Sequence, residues 1–253
     1  DDTPYIRLLL GSTSDAERTE IANGLQDGSI KILIGTHALI QDSVQFSNLT
    51  LAVVDEQHRF GVEQRAALRG KGDEPHLMVM TATPIPRSLA LTLYGDLDLS
   101  IIDELPPGRR PVETRVVYPP QRKDMYNFIS AQIKNGGQAF MIYPIIEESD
   151  TLQVRAAVKE HKRLQNEVFS EFRVGLLHGK MKADDKYHEI TNFRNGDIDI
   201  LVSTTVIEVG VDIPNASIMV IENANRFGLA QLHQLRGRVG RGEHKSYCLL
   251  VAE

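Results

Sequence analysis

The chain has 253 residues, a formal net charge of −6, 42% apolar and 25% charged residues, and one cysteine. That length suits one large or two medium domains with a proper core. The acid excess argues against a surface that is a nucleic-acid glove all over, although a local basic cluster can still hold phosphates. No apolar run is long enough to span a bilayer, and Asp1-Asp2-Thr3-Pro4 carries no signal-peptide features. Cys248 lies in an apolar run and reads as a buried, inert thiol, which fits a cytoplasmic, reducing compartment.

In chain order, a strand is expected over 5–10, ending at Gly11, and Ser14 or Asp15 can cap a helix over 16–26 that Gly28 ends. A strand over 30–34 closes in Gly35-Thr36-His37. The run Leu51-Ala52-Val53-Val54 reads as a strand buried on both faces, and it stops abruptly at Asp55-Glu56-Gln57-His58. A helix around 64–69 comes next, then a strand over 77–80 ending in Thr81-Ala82-Thr83-Pro84, and a helix over 86–93. Pro106-Pro107-Gly108-Arg109-Arg110-Pro111 can be neither helix nor central strand and reads as a linker. The pattern then restarts. Strands are expected over 114–118, 138–143, 174–177, 198–202, 216–221 and 246–251. Helices are expected over 122–134, 150–169, 183–193 and 228–235. Such alternation marks parallel α/β sheets, and the division it implies is 1–105, a linker over 106–111, and 112–253.

The chemistry gathers at strand ends, because ligands in open α/β sheets sit beyond the carboxyl ends of the strands. Asp55 and Glu56 end one strand. One carboxylate suits a Mg²⁺ on a nucleoside triphosphate and the other suits the attacking water. A bland acidic turn is the competing account. Gly35-Thr36, Thr81-Thr83, His178-Gly179 and Ser203-Thr205 end other strands, and all would line the same edge of their sheet. Near the C-terminus, Arg236-Gly237-Arg238-Val239-Gly240-Arg241-Gly242 alternates arginine with glycine after an apolar helix. Arginine forks match phosphate oxygens. From these residues alone, a phosphate-facing arginine finger and a plain basic turn stay equally open. The eight histidines and one cysteine show no zinc-ligand spacing, so a structural metal is not expected.

Taken together the motifs resemble the motor of superfamily two helicases, two RecA-like lobes in tandem, and more closely the RecG family of bacterial ATP-dependent DNA helicases. The carrying stretches are Asp55-Glu56-Gln57-His58-Arg59-Phe60-Gly61-Val62 (the Walker B box) and Thr81-Ala82-Thr83-Pro84-Ile85-Pro86-Arg87. Further on come Tyr143-Pro144-Ile145-Ile146-Glu147-Glu148-Ser149, His178-Gly179-Lys180-Met181, the run from Ser203 to Pro214, and the run from Arg226 to Arg241. The resemblance implies ATP and Mg²⁺ as cofactors, with Asp55 on the metal and Glu56 on the water. It implies that Gln57, His58, Thr81 and Thr83 couple nucleotide state to movement, and that Gly210, Asp212, Gln234, Arg238 and Arg241 face the nucleotide, Arg241 as the finger. Thr36, His37, Gly179, Thr204 and Thr205 would track the DNA backbone. The implied substrate is branched DNA, such as stalled forks and Holliday junctions, in recombination and repair.

The glutamine at position 57 separates the chain from the transcription–repair coupling translocases, whose box carries glutamate there. That motor, and a catalytically silent nucleic-acid-binding scaffold, are the alternatives. No Gly-x-x-x-x-Gly-Lys-Ser/Thr loop occurs in the 253 residues. The resemblance places it upstream of Asp1, together with the wedge domain, so the first lobe is expected to be truncated at its N-terminus. The expectations are that the stretch alone hydrolyses little ATP and that its first sheet exposes an apolar edge and face.

Overall fold

The computed structural model describes residues 5–55, 62–81, 98–106, 109–144, 150–204, 213–242 and 244–252. The chain divides into two compact units, Asp1–Pro84 and Ile85–Glu253. The expected helix over 86–93 lies outside the described residues.

The first unit begins with β1 (Ile6–Leu9) and α1 (Asp15–Gln26). Ser14 caps α1 in a full capping box, its hydroxyl accepting from the Glu17 amide while the Glu17 carboxylate accepts from the Ser14 amide. β2 (Ile32–Gly35) pairs parallel with β1 and runs into a 3₁₀ turn, His37–Ile40, where the sequence pattern led us to expect only a strand end. β3 (Leu51–Val54) pairs parallel with β4 (His76–Val79), and α2 (Val62–Arg69) lies between them in sequence. No ladder joins the two pairs among the described residues. Hydrophobic periodicity identifies strands, but sheet membership is decided by hydrogen bonds between strands distant in sequence. Leu9, Ile21, Leu25, Ile30, Ala38 and Val44 form the core under α1. Ile6, Leu8, Ile32 and Ile34, and likewise Leu51, Val53 and Met78, are exposed on strands whose parallel pairing ordinarily goes with two covered faces.

The second unit holds a six-stranded, all-parallel sheet in the order β5-β10-β9-β6-β8-β7. Its strands are β5 (Glu113–Val117), β6 (Gln138–Ile142), β7 (Val174–Leu177), β8 (Ile200–Ser203), β9 (Ala216–Ile221) and β10 (Tyr247–Val251). The helices are α3 (Arg122–Lys134), α4 (Asp150–Arg163), α5 (Ala183–Asn195) and α6 (Leu229–Arg236). α4 ends in a π turn, Leu164–Val168, rather than running on to 169 as expected.

Alternate residues of the central strands feed two separate cores, as the pleat requires. Ala139, Met141, Ile200, Val202, Ile218 and Val220 pack with Met125, Ile129 and Ile133 of α3 and with Leu164. Phe140, Ile142, Leu201, Met219 and Ile221 pack on the other face with Phe193 of α5 and with Leu232 and Leu235 of α6. Helices therefore cover both faces, which explains why β6, β8 and β9 are buried along their whole length. Cys248 sits inside this sheet at 1% exposure, and burial raises its thiol pKa from 9.0 to about 11. With the folded value above the unfolded one, its contribution to stability is complete below pH 9.0 and is lost as the pH climbs through about 11. Cys248 is expected to resist iodoacetamide at pH 8 until the chain is denatured. Rapid alkylation of the native chain, detected by mass spectrometry, would contradict this placement.

Candidate functional site

In the first unit, Asp55 follows β3 directly and Thr81 lies just past β4. The ladder continues one step past the paired strands, with the Met80 amide donating to the Val54 carbonyl at 2.8 Å. The carboxylate and the hydroxyl therefore leave neighbouring strands at one carboxyl edge, both exposed. Oxygen donors of this kind suit a hard cation such as Mg²⁺. Glu56, Gln57, His58 and Thr83 lie outside the described residues. Thr36 and His37, also exposed, leave the carboxyl end of β2. Between the 3₁₀ turn and α2 is an open hollow of about 450 Å³ lined by His37, Ile40, Gln41, Asp42, Gln64 and Ala67.

In the second unit the chain leaves β6 toward β8 and β7 on one side and returns to β9 on the other, so the switch in strand order falls between β6 and β9. This is where open α/β sheets hold ligands. Gly179 and Thr204 lie on the same carboxyl edge, beyond β7 and β8. Gly179 is exposed and its carbonyl accepts from Lys186 Nζ at 2.8 Å; Thr204 is buried, its amide donating to the Leu177 carbonyl at 3.3 Å. Burial and the neighbouring Lys186 and Lys180 hold His178 below its ordinary pKa. Thr205, Gly210 and Asp212 lie outside the described residues.

Sequence reasoning missed a buried carboxylate at the switch point, joined to a cluster of part-buried charges. Glu222, 3% exposed, follows β9 and accepts two bonds from Arg122 at 2.7 and 3.1 Å. Arg122 also donates to the Tyr126 hydroxyl at 3.2 Å; Arg163 donates to that hydroxyl at 3.1 Å and pairs with Glu160 at 2.9 Å. Burial pushes the Glu222 carboxyl above its ordinary range, against the opposing pull of Arg122. Burial also raises the Tyr143 phenol, at the end of β6. The rule that singled out Asp55, an apolar run stopping at a carboxylate, applies equally to Glu222.

The arginine motif occupies the other edge of the same sheet. Gly240 is left-handed (φ 82°), and a Cβ on it would lie 2.9 Å from Val112, the residue before β5. Gly242 packs so tightly against the Pro214 carbonyl, just ahead of β9, that a Cβ would collide with it. Val239 between them is fully buried. Arg238 and Gln234 are half-buried, whereas Arg241 is exposed on a backbone that these close contacts hold in place. Arg236 lies 3.1 Å from His233 Nδ1, and Arg109 donates to the Gly237 carbonyl at 3.3 Å. Thus Gly179 and Thr204 stand at the carboxyl edge of one sheet and Arg238 and Arg241 at its amino edge. Among the described residues no group of three or more His, Cys, Asp or Glu could hold a metal by itself, and no helix is long and apolar enough to cross a membrane.

Two family models match, the DEAD/DEAH box helicase over residues 3–92 and the helicase conserved C-terminal domain over 121–243. The chain is 58% identical over 246 residues to the ATP-dependent DNA helicase RecG of Synechocystis sp., covering 97% of this chain and 30% of that protein. Over nearly its whole length the chain is similar to one stretch of the RecG helicases.

RecG of Thermotoga maritima is 55% identical, with 98% of this chain and 32% of that protein covered. A solved RecG bound to a three-way DNA junction matches all of this chain and 32% of its own, at 48% identity and a TM-score of 0.73. The helicase Lhr of Mycobacterium smegmatis, bound to ssDNA and AMP-PNP, is only 17% identical at a TM-score of 0.67 and shares the fold. This chain spans about a third of the length of the RecG relatives it matches. These likenesses agree with two RecA-like α/β lobes in tandem.

Proposed function

We propose that the full-length protein carrying this chain is an ATP-dependent DNA helicase or translocase that acts on branched DNA, such as stalled forks and Holliday junctions, in cytoplasmic recombination and repair. In this reading residues 1–105 belong to the first motor lobe, 106–111 to the linker and 112–253 to the second lobe. The observation that carries it is the arrangement of the second unit's sheet. Its exposed arginine, on a backbone held by close glycine contacts, stands at one edge, and the strand ends at Gly179, which is exposed, and Thr204, which is buried beside it, stand at the other. A stiff sheet between two such edges can convert a change at one into a shift of grip at the other. The RecG relatives named as ATP-dependent DNA helicases, and the one solved with a three-way junction, support the same reading.

Each group has a distinct task in this reading. Bound MgATP supplies the phosphoanhydride whose hydrolysis drives the cycle. Asp55 would hold the metal, with Thr81 alongside, and Glu56 would accept the proton of the attacking water. Gln57, His58, Thr81 and Thr83 would relay the nucleotide state. Gly210, Asp212, Gln234, Arg238 and Arg241 would face the nucleotide, the arginines neutralising phosphate charge with their forked donors. Thr36, His37, Gly179, Thr204 and Thr205 would hold the DNA through its phosphates, so no base sequence is read.

The test is ATP hydrolysis by the full-length protein without DNA, with linear duplex and with a three-way junction. The junction should raise turnover most, and Asp55→Asn should reduce it to background. The 253-residue stretch, which contains no Gly-x-x-x-x-Gly-Lys-Ser/Thr loop, should show little turnover under any of these conditions. Equal turnover with and without junction DNA, or an Asp55→Asn variant as active as the parent, would refute the reading.

A further inference from the structure

In the first unit, Asp55 and Thr81 ride on the β3–β4 pair, whereas Thr36 and His37 ride on the β1–β2 pair, and no ladder among the described residues joins the pairs. A lysine in the turn that ends α2 bridges them. Lys71 Nζ donates to the main-chain carbonyls of Gln41 and Val44, each at 2.7 Å. Gln41 closes the 3₁₀ turn that starts at His37, and Val44 is anchored in the core beneath α1. At its other end Lys71 is tied to α2, its amide donating to the Leu68 carbonyl at 3.2 Å. The next residue packs against the segment leading into β3, since a Cβ on Gly72 would lie 2.7 Å from the Leu49 carbonyl oxygen. Slightly further on, the His76 amide donates to the Thr50 carbonyl at 2.9 Å as β4 begins.

Lysine suits this task chemically. Its ammonium has three donors and no acceptor, and a flexible stem that reaches across a gap. Two carbonyls occupy two of the donors. The ammonium is held below its ordinary pKa by burial, with nearby Asp42 opposing that shift. A charge-assisted bond of this kind is stronger than a neutral one, and here both acceptors are backbone. A displacement of the turn after α2 therefore pulls on two main-chain carbonyls, those of Gln41 and Val44, through one ammonium.

We propose that Lys71 is a positioning residue that couples the acid-bearing β3–β4 pair to the Thr36-His37 end of β2, so that events at the nucleotide alter the grip on DNA and DNA binding alters ATP turnover. This rests on the helicase reading above. It adds a specific route by which two sites on separate strand pairs sense each other.

The experiment uses the full-length protein and reads the ratio of junction-stimulated to DNA-free ATP turnover, with melting temperature measured in parallel. Lys71→Met keeps the stem and removes the ammonium; it should lower that ratio by about tenfold, the scale of coupling that a single link carries. Lys71→Arg, which keeps charge and several donors, should restore most of it. An unchanged ratio in Lys71→Met overturns the proposal. So does a parallel fall of both rates together with the melting temperature, since a mere brace would behave that way. A parent protein that junction DNA does not stimulate at all overturns the helicase reading instead, and this inference with it.

Discussion

On the helicase reading proposed above, Arg241→Ala in the full-length protein is expected to lower the ATP turnover number by about 10³-fold, equivalent to roughly 4 kcal/mol of transition-state stabilisation. The expectation rests on how the side chain is presented. Arg241 is exposed, while the backbone on both sides is fixed by Gly240 against Val112 and by Gly242 against Pro214, with Val239 fully buried as the anchor. The fixed backbone spares the main-chain ordering cost when the guanidinium meets a phosphate, so only the side chain's own rotamers remain to be ordered. Arg241→Lys keeps the charge but not the planar fork, and should recover only part of the loss. Single-turnover hydrolysis separates this from nucleotide binding: the chemical step should slow while the affinity for ATP changes far less. A turnover number left within a few-fold of the parent would assign the finger elsewhere, Arg238 being the next candidate.

The second large effect concerns stability. Arg122→Met is expected to cost roughly 3 kcal/mol and to lower the melting temperature of the second unit by about 10 °C. The variant leaves Glu222, whose side chain is 4% exposed, inside the protein without the two bonds that Arg122 now gives it. Breaking a buried pair from one side is costly because the remaining charge is uncompensated. The figure is set at the lower end because the Arg122 side chain itself is 36% exposed and water can partly replace it. Removing both charges, as Arg122→Met with Glu222→Leu, should return much of the loss, since the pair's worth lies mainly in mutual compensation. Calorimetry of the single and double variants decides the point. A double variant less stable than the sum of the two single ones would show that the cluster holds more than its own two charges.

The sequence was legible where local chemistry is sufficient. The boundaries expected for α3, β7 and β9 match those observed, because each is an apolar pattern bounded by glycine, proline or a polar strand end. Of the two caps expected for α1, Ser14 or Asp15, the structure uses Ser14. Cys248 is buried, as an isolated thiol in an apolar run should be. The 3₁₀ turn at His37–Ile40 was not legible, since Gly35-Thr36-His37 signals only that the strand stops and leaves the next backbone conformation open. The π turn that ends α4 also left no mark in the periodicity.

What the sequence determined by itself is the inventory: which runs become strands, which polar groups stand at their ends, and that arginines and glycines alternate after α6. Only the tertiary structure decided their arrangement. It put Arg238 and Arg241 on the amino edge of a sheet whose carboxyl edge bears Gly179 and Thr204. It buried Glu222 beside Arg122, a hundred residues away in sequence, and it set Lys71 across from Gln41 and Val44. The physical reason is range. Helix capping, turn chemistry and pleat periodicity act over a few residues and are written in adjacent letters. Strand order and long-range charge pairing depend on which distant segments share a hydrogen bond, and no local pattern records that.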